Sequence, residues 1–201
     1  MFDCDGGLTV IDPESRKAST WNILGVAPAV NRRDGMLAFG GVALSVDQRR
    51  IFLGTFGVSN SELLTPGMYS SNPSWAPDGN RLVFECVNSA SQYDLCVVNK
   101  DGSGLAKLTD DTFFDADPAW SPNGSAIAFT TFRFGEPRAI ALITPGALEV
   151  TRLTVGSEPS WSRDGSKILF ARPDGIFSIR PDGSELRKIV TGTYRTPVWR
   201  H

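Results

Sequence analysis

Histidine is nearly missing from this chain: of 201 residues only His201, the last, is one. A Ser–His–Asp or Cys–His arrangement needs an imidazole steadied by a third group, and a terminal residue is badly placed for that. The G-x-S-x-G elbow, the phosphate-binding loop and H-E-x-x-H are also absent. The residues therefore build no catalytic constellation, and the expectation is a protein that is not an enzyme and uses no cofactor. No run of about 18 apolar residues exists to cross a membrane as a helix. The opening MFDCDGGLTVID has neither a basic start nor an apolar core, so it does not read as a signal peptide, and an exported precursor would carry one upstream of Met1. Acids and bases are interspersed, 22 against 20, so no basic patch suits nucleic acid. No ten-residue stretch sustains helical periodicity.

What the chain does have is a repeated phrase. PSWAPDG starts at Pro73, PAWSPNG at Pro118 and PSWSRDG at Pro159, PVWRH starts at Pro197, and a degenerate PAVNRRDG starts at Pro28. Eleven residues after the Pro comes a Phe: Phe39, Phe84, Phe129 and Phe170. Repeats of roughly 40 residues that read as strands mean stacked blades. Within a unit, a short strand ends at the Trp and a Pro/Asp/Gly turn follows. A β-branched second strand, a third strand and a shorter outer strand complete it. The Asp residues of these turns, Asp78, Asp164 and Asp182, read as turn caps. Each Trp is expected to pack between adjacent blades beside the Phe of strand two.

The ends complement one another. FDCDGGLTVIDPESRKA from Phe2 matches FARPDGIFSIRPDGSEL from Phe170 in spacing, so the chain starts in a second strand and ends on a first. Closing a ring removes exposed edges. The expected fold is all-β: one domain over residues 1–201, a β-propeller of four-stranded antiparallel blades. Five blades are expected, near 28–65, 73–110, 118–155 and 159–191, with 196–201 joined to 1–22. A fragment of a six-bladed propeller is the alternative.

P-x-W-S-P-D-G-x-x-I-x-F, followed by a second D-G and then L-T, resembles the TolB-type, WD-repeat-like propeller repeat. The match is good over Pro73–Thr109, Pro118–Thr154 and Pro159–Thr191, and ending on a first strand also resembles the TolB family. That family has six blades and an N-terminal α/β domain, and neither is read here. The resemblance implies a scaffold that binds protein or peptide partners in the periplasm or outside the cell, with the cytoplasm as the alternative. The same repeats form the non-catalytic propeller of prolyl-oligopeptidase-like hydrolases, a second functional reading. A carbohydrate- or metal-binding propeller is the third.

Three sets of side chains are candidate sites. Asp110, Asp111, Asp115 and Asp117 crowd the link between two blades; they are either a solvated acidic loop or ligands for a hard cation, calcium foremost. Tyr93, Phe113, Phe114, Phe132, Arg133, Phe134 and Tyr194 fall in or beside loops on one face, the top. Loop aromatics with an Arg suit a protein interface, while packing beneath loops is the other reading. Cys86 and Cys96 lie equidistant from position 91 in one expected hairpin. Such a pair can face across two strands and form a disulfide, or remain two buried thiols. Cys4 would be unpaired, and with no Cys-x-x-Cys a zinc site is not expected.

Overall fold

The computed structural model describes residues 8–11, 18–21, 23–43, 49–55, 61–65, 67–87, 92–135, 137–147, 149–194 and 196–199. Among them there is no helix, and four antiparallel four-stranded sheets stand as blades of a propeller. Blade one is β3 (Ile23–Val30), β4 (Leu37–Ala43), β5 (Arg50–Gly54) and β6 (Ser61–Leu63). Blade two is β7 (Ser70–Trp75), β8 (Arg81–Val87), β9 (Tyr93–Asn99) and β10 (Ala106–Lys107). Blade three is β11 (Asp115–Trp120), β12 (Ile127–Thr131), β13 (Ala139–Ile143) and β14 (Val150–Val155). Blade four is β15 (Ser157–Trp161), β16 (Ile168–Arg172), β17 (Gly175–Ile179) and β18 (Arg187–Thr191). Strands pair in chain order within each blade. An antiparallel ribbon, β1 (Leu8–Ile11) with β2 (Ala18–Trp21), precedes them.

The inner strands begin two to five residues before the Pro, earlier than the sequence suggests, and a register shift marks the Pro in each. Proline has no N–H to give the ladder, so pairing is interrupted there and a bulge carries the strand across. The residue before the Pro is left-handed at Asn72 (φ 49°), Asp117 (φ 52°), Glu158 (φ 58°) and Thr196 (φ 49°). Below the bulge the strand ends in the expected turn. Oδ1 of Asp78 accepts the Asn80 N–H at 2.9 Å, and Asp164 and Asn123 accept from Ser166 and Ser125 in the same way. The Gly that follows each is at φ 71–76°, where a Cβ would be strained.

The core is a series of blade-to-blade joints. Phe39, Phe84, Phe129 and Phe170 are completely buried. Trp120 packs on Val83 and Leu95 of blade two, and Trp161 on Ala128 and Ile140 of blade three. Indole N–H groups fasten the joints: Trp75 Nε1 donates to Ala29 O at 3.2 Å and Trp161 Nε1 to Ala119 O at 3.0 Å. Trp199 repeats the contact on the far side of blade four. It packs on Leu169, Ala171 and Ile176, and its Nε1 donates to Ser160 O at 3.1 Å. At the other end β1 runs beside β3 of blade one, as the third strand β9 runs beside β11 and β13 beside β15. The expected second strand near Phe2, and with it the junction between the terminal pieces, lies outside the described residues.

Candidate functional site

Five inner segments line one channel of about 620 Å³ through the middle of the ring. Pro28, Pro73, Pro118, Pro159 and Pro197 all face it, and the small residues Ala29, Ser74, Ala119 and Ser160 leave it open. Its volume is within the range of small-ligand pockets. Arg32 and Arg163 mark the end nearer the D-G turns, and Asn72, Asp117 and Glu158 the end nearer the top.

The top end is laced by side chains reaching between blades. Glu85, only 5% exposed, stands one residue after the buried Phe84. It accepts from Ser71 Oγ (2.7 Å) and Asn72 Nδ2 (2.7 Å) in its own blade, and from the Asp117 N–H (2.8 Å) of the next. Thr130, the matching residue of blade three, donates to Asp117 Oδ2 at 2.9 Å and accepts the Glu158 N–H at 2.9 Å. Glu158 in turn accepts the Thr196 N–H. The left-handed residues Asp117, Glu158 and Thr196 thus each have their N–H met by a side chain, which fixes the strand where the ladder is broken. Burial, with the charge of Glu85 next, pushes the Asp117 carboxyl up to about 6.

The structure divides the four link aspartates among three places. Asp110 pairs with Lys107 at 2.5 Å, while Asp111 (2.9 Å) and Asp115 (2.6 Å) both pair with Arg133. Asp115 is fully buried, and that burial raises its pKa. Asp117 belongs to the channel collar. Among the described residues no group of three or more His, Cys, Asp or Glu side chains is placed to hold a metal.

The loop aromatics are partly gathered. Tyr93 meets Phe114 with ring centroids 5.1 Å apart, and Phe114 meets Phe132 edge-on at 5.7 Å. Tyr69 extends this ladder, edge-on to Tyr93 at 5.7 Å. A hydrogen bond to Tyr69 is the main cause that lifts the Tyr93 hydroxyl to about 12. Phe113 lies under Arg133, whose guanidinium carbon is 5.7 Å from the ring. Arg138 covers Phe132 at 5.2 Å and Arg152 covers Phe134 at 5.8 Å. Tyr194 is exposed after β18 and takes no part in the ladder. Glu85, Asn72, Thr130 and Glu158 were not foreseen as a group. Their only signal in the sequence is position, one residue before the Pro or one after the Phe.

Cys86 and Cys96 form a disulfide with Cα atoms 5.9 Å apart. They are not directly opposite, because the register pairs Cys86 with Asp94 and Phe84 with Cys96. The hairpin is centred at position 90, and the bridge crosses it diagonally.

The family described as the TolB beta propeller domain matches residues 42–199. No curated protein sequence matches the chain. The fold is similar to the putative TolB from Agrobacterium tumefaciens, with a TM-score of 0.81 and 17% identity over 95% of this chain and 76% of that one. TolB from Acinetobacter baumannii gives 0.73 and 19%, over 92% of this chain and 49% of that one. A puromycin-hydrolyzing peptidase of Mycobacterium tuberculosis gives 0.73 and 12%, over 95% and 35%. At such identities the likeness is one of fold, and the chain spans half or less of the latter two proteins.

Proposed function

The chain belongs to the TolB beta propeller domain family, and from that premise we propose that it is a non-enzymatic scaffold that binds a protein or peptide across its top face. The observation that carries this reading is the ladder Tyr69–Tyr93–Phe114–Phe132, which runs from blade two onto blade three with Phe114 exposed. Aromatic side chains beside arginines are what dominate the energetics of protein interfaces. A displayed peptide library selected on the wild-type chain, with F114S/F132S selected in parallel, tests it. Families of peptides enriched on the wild type and lost on the variant are expected, with both proteins melting cooperatively. Enrichment that survives the double change removes the top face from the binding account.

The ring has five blades in this reading. Trp199 docks on blade four as the first strand of a following blade, and β1 lies against blade one as the third strand of a preceding one. Small-angle scattering giving the radius of a closed monomer tests this, and an elongated arc or a domain-swapped assembly contradicts it. The disulfide suits an oxidising compartment, so the periplasm or the exterior is the proposed location. The likeness to the mycobacterial peptidase favours a second reading, a non-catalytic propeller that admits substrates to a hydrolase domain. An α/β-hydrolase region in the same open reading frame would select it.

A further inference from the structure

We propose that the partner segment held on the top face is acidic and that Arg138 and Arg152 bind its carboxylates. This rests on the top-face reading given above. Both arginines are exposed, and each guanidinium lies over a phenylalanine ring, Phe132 and Phe134 respectively. Neither makes an ion pair among the described residues. Arg133 is the contrast: also stacked on a phenylalanine, it is 14% exposed and spent on Asp111 and Asp115. A guanidinium resting on a ring keeps its planar edge of N–H donors turned away from the ring, in a geometry that matches a carboxylate.

The carboxylates of the collar do not supply a competing cation site of the same kind. Glu85 accepts from Ser71, Asn72 and the Asp117 N–H, Asp117 from Thr130, and Glu158 from the Thr196 N–H. These acceptors are directed onto the ring itself, whereas among the described residues no side-chain hydrogen bond or ion pair engages the donors of Arg138 or Arg152. Arg138 closes the loop between the second and third strands of blade three, and Arg152 lies on its outer strand β14. Blade three spends residues 132–138 between its second and third strands, while blade four turns directly from Arg172 to Gly175, its paired neighbour. The blade-three loop is therefore the longer of the two, and it carries Phe132, Phe134 and Arg138. An extended segment crossing it can set apolar side chains on the aromatic rings and carboxylates on the guanidiniums.

Fluorescence anisotropy with three labelled octapeptides on the full chain tests the assignment: alternating Phe and Glu, Phe and Gln, and Phe and Lys. The Glu peptide is expected to bind about tenfold tighter than the Gln peptide, from two exposed charge-assisted contacts of a few-fold each, with the Lys peptide weakest. R138Q/R152Q is expected to abolish the tenfold advantage of the Glu peptide over the Gln peptide while the variant still melts cooperatively. Raised salt should weaken the Glu peptide alone. Equal binding of all three peptides, lost with F114S/F132S, overturns the acidic assignment while the top-face reading stands. A Lys peptide that binds tightest overturns it in favour of the collar. Binding that survives F114S/F132S, or no binding of any peptide, overturns both.

Discussion

Asp117 offers a direct measurement of what the collar costs. Its carboxyl is buried at the bulge between Glu85 and Glu158 and sits at about 6 instead of 3.8. The folded chain therefore holds this proton more tightly than the unfolded chain does. Its contribution is fully favourable below about pH 4 and is lost as pH rises through 6, so at neutral pH the ionised group destabilises the ring. A shift of about two units corresponds to roughly 3 kcal/mol, and solvent at the channel mouth reduces that to about 1–3 kcal/mol. Asp117→Asn removes the charge and keeps the geometry. An amide oxygen can still accept from Thr130, and asparagine tolerates a left-handed φ, as Asn72 does at the matching place in blade two. The variant should be about 1–3 kcal/mol more stable at pH 7.5 in urea, and its Tm should be higher by roughly 2–10 °C. The gain should vanish by pH 4. The difference between wild type and variant isolates this group from the other carboxyls. An equal or lower stability of the variant at pH 7.5, or a gain that persists unchanged at pH 4, would refute the reasoning.

The blade joints should be as costly to open as buried aromatic contacts usually are. Trp161→Ala is expected to lose about 3–5 kcal/mol in chemical denaturation, and a loss below about 1 kcal/mol would mean that the joint with blade three is not a principal part of the core. Reduction of Cys86–Cys96, or Cys86→Ser with Cys96→Ser, should cost about 2–3 kcal/mol for so short a loop; an unchanged midpoint would show that the bridge constrains nothing. Glu85→Ala leaves the donors of Ser71, Asn72 and Asp117 without their acceptor and should cost about 2–4 kcal/mol, with Glu85→Gln recovering part of it. If both variants melt alike, the hydrogen bonds of Glu85 are not what stabilises the collar.

The recurring x-P-x-W and the Phe eleven residues on were enough to place nearly every strand, because both belong to joints that every blade must make. Trp75, Trp161 and Trp199 each donate to the inner strand of the preceding blade, and no other side chain combines that bulk with a donor. The bulge was not legible. Proline announces that the ladder is interrupted, but it does not say that Asn, Asp, Glu and Thr before it adopt left-handed backbone, since residues before proline ordinarily stay extended. The acidic link misled for a related reason. Four nearby aspartates look like one cluster along the sequence, yet the pairing of Asp115 with Thr131 brings Arg133 against Asp111 and Asp115. The bulge then turns Asp117 into the channel instead. The aromatic ladder needs rings from two blades, and sequence separation carries no trace of which loop tips become neighbours.

Divergence between the repeats follows from coupling across these joints. The residue after the buried Phe is Gly40, Glu85, Thr130 and Ala171 in successive blades, a series with no common chemistry until its neighbour is considered. At Gly40 a Cβ would come 3.3 Å from the Cα of Ser71, so blade two already occupies the space a side chain would need. Glu85 and Thr130 have room and meet the N–H of the next left-handed residue. Ala171 cannot, and there Glu158 of the same blade accepts from Thr196 in its place. The bulge N–H groups of Asp117, Glu158 and Thr196 are thus each satisfied, and the acceptor comes from either of two positions. A change at one position alters what is tolerated at the other. The collar can therefore vary from blade to blade, and acquire three carboxylates, while the Trp and Phe that set the architecture stay in place.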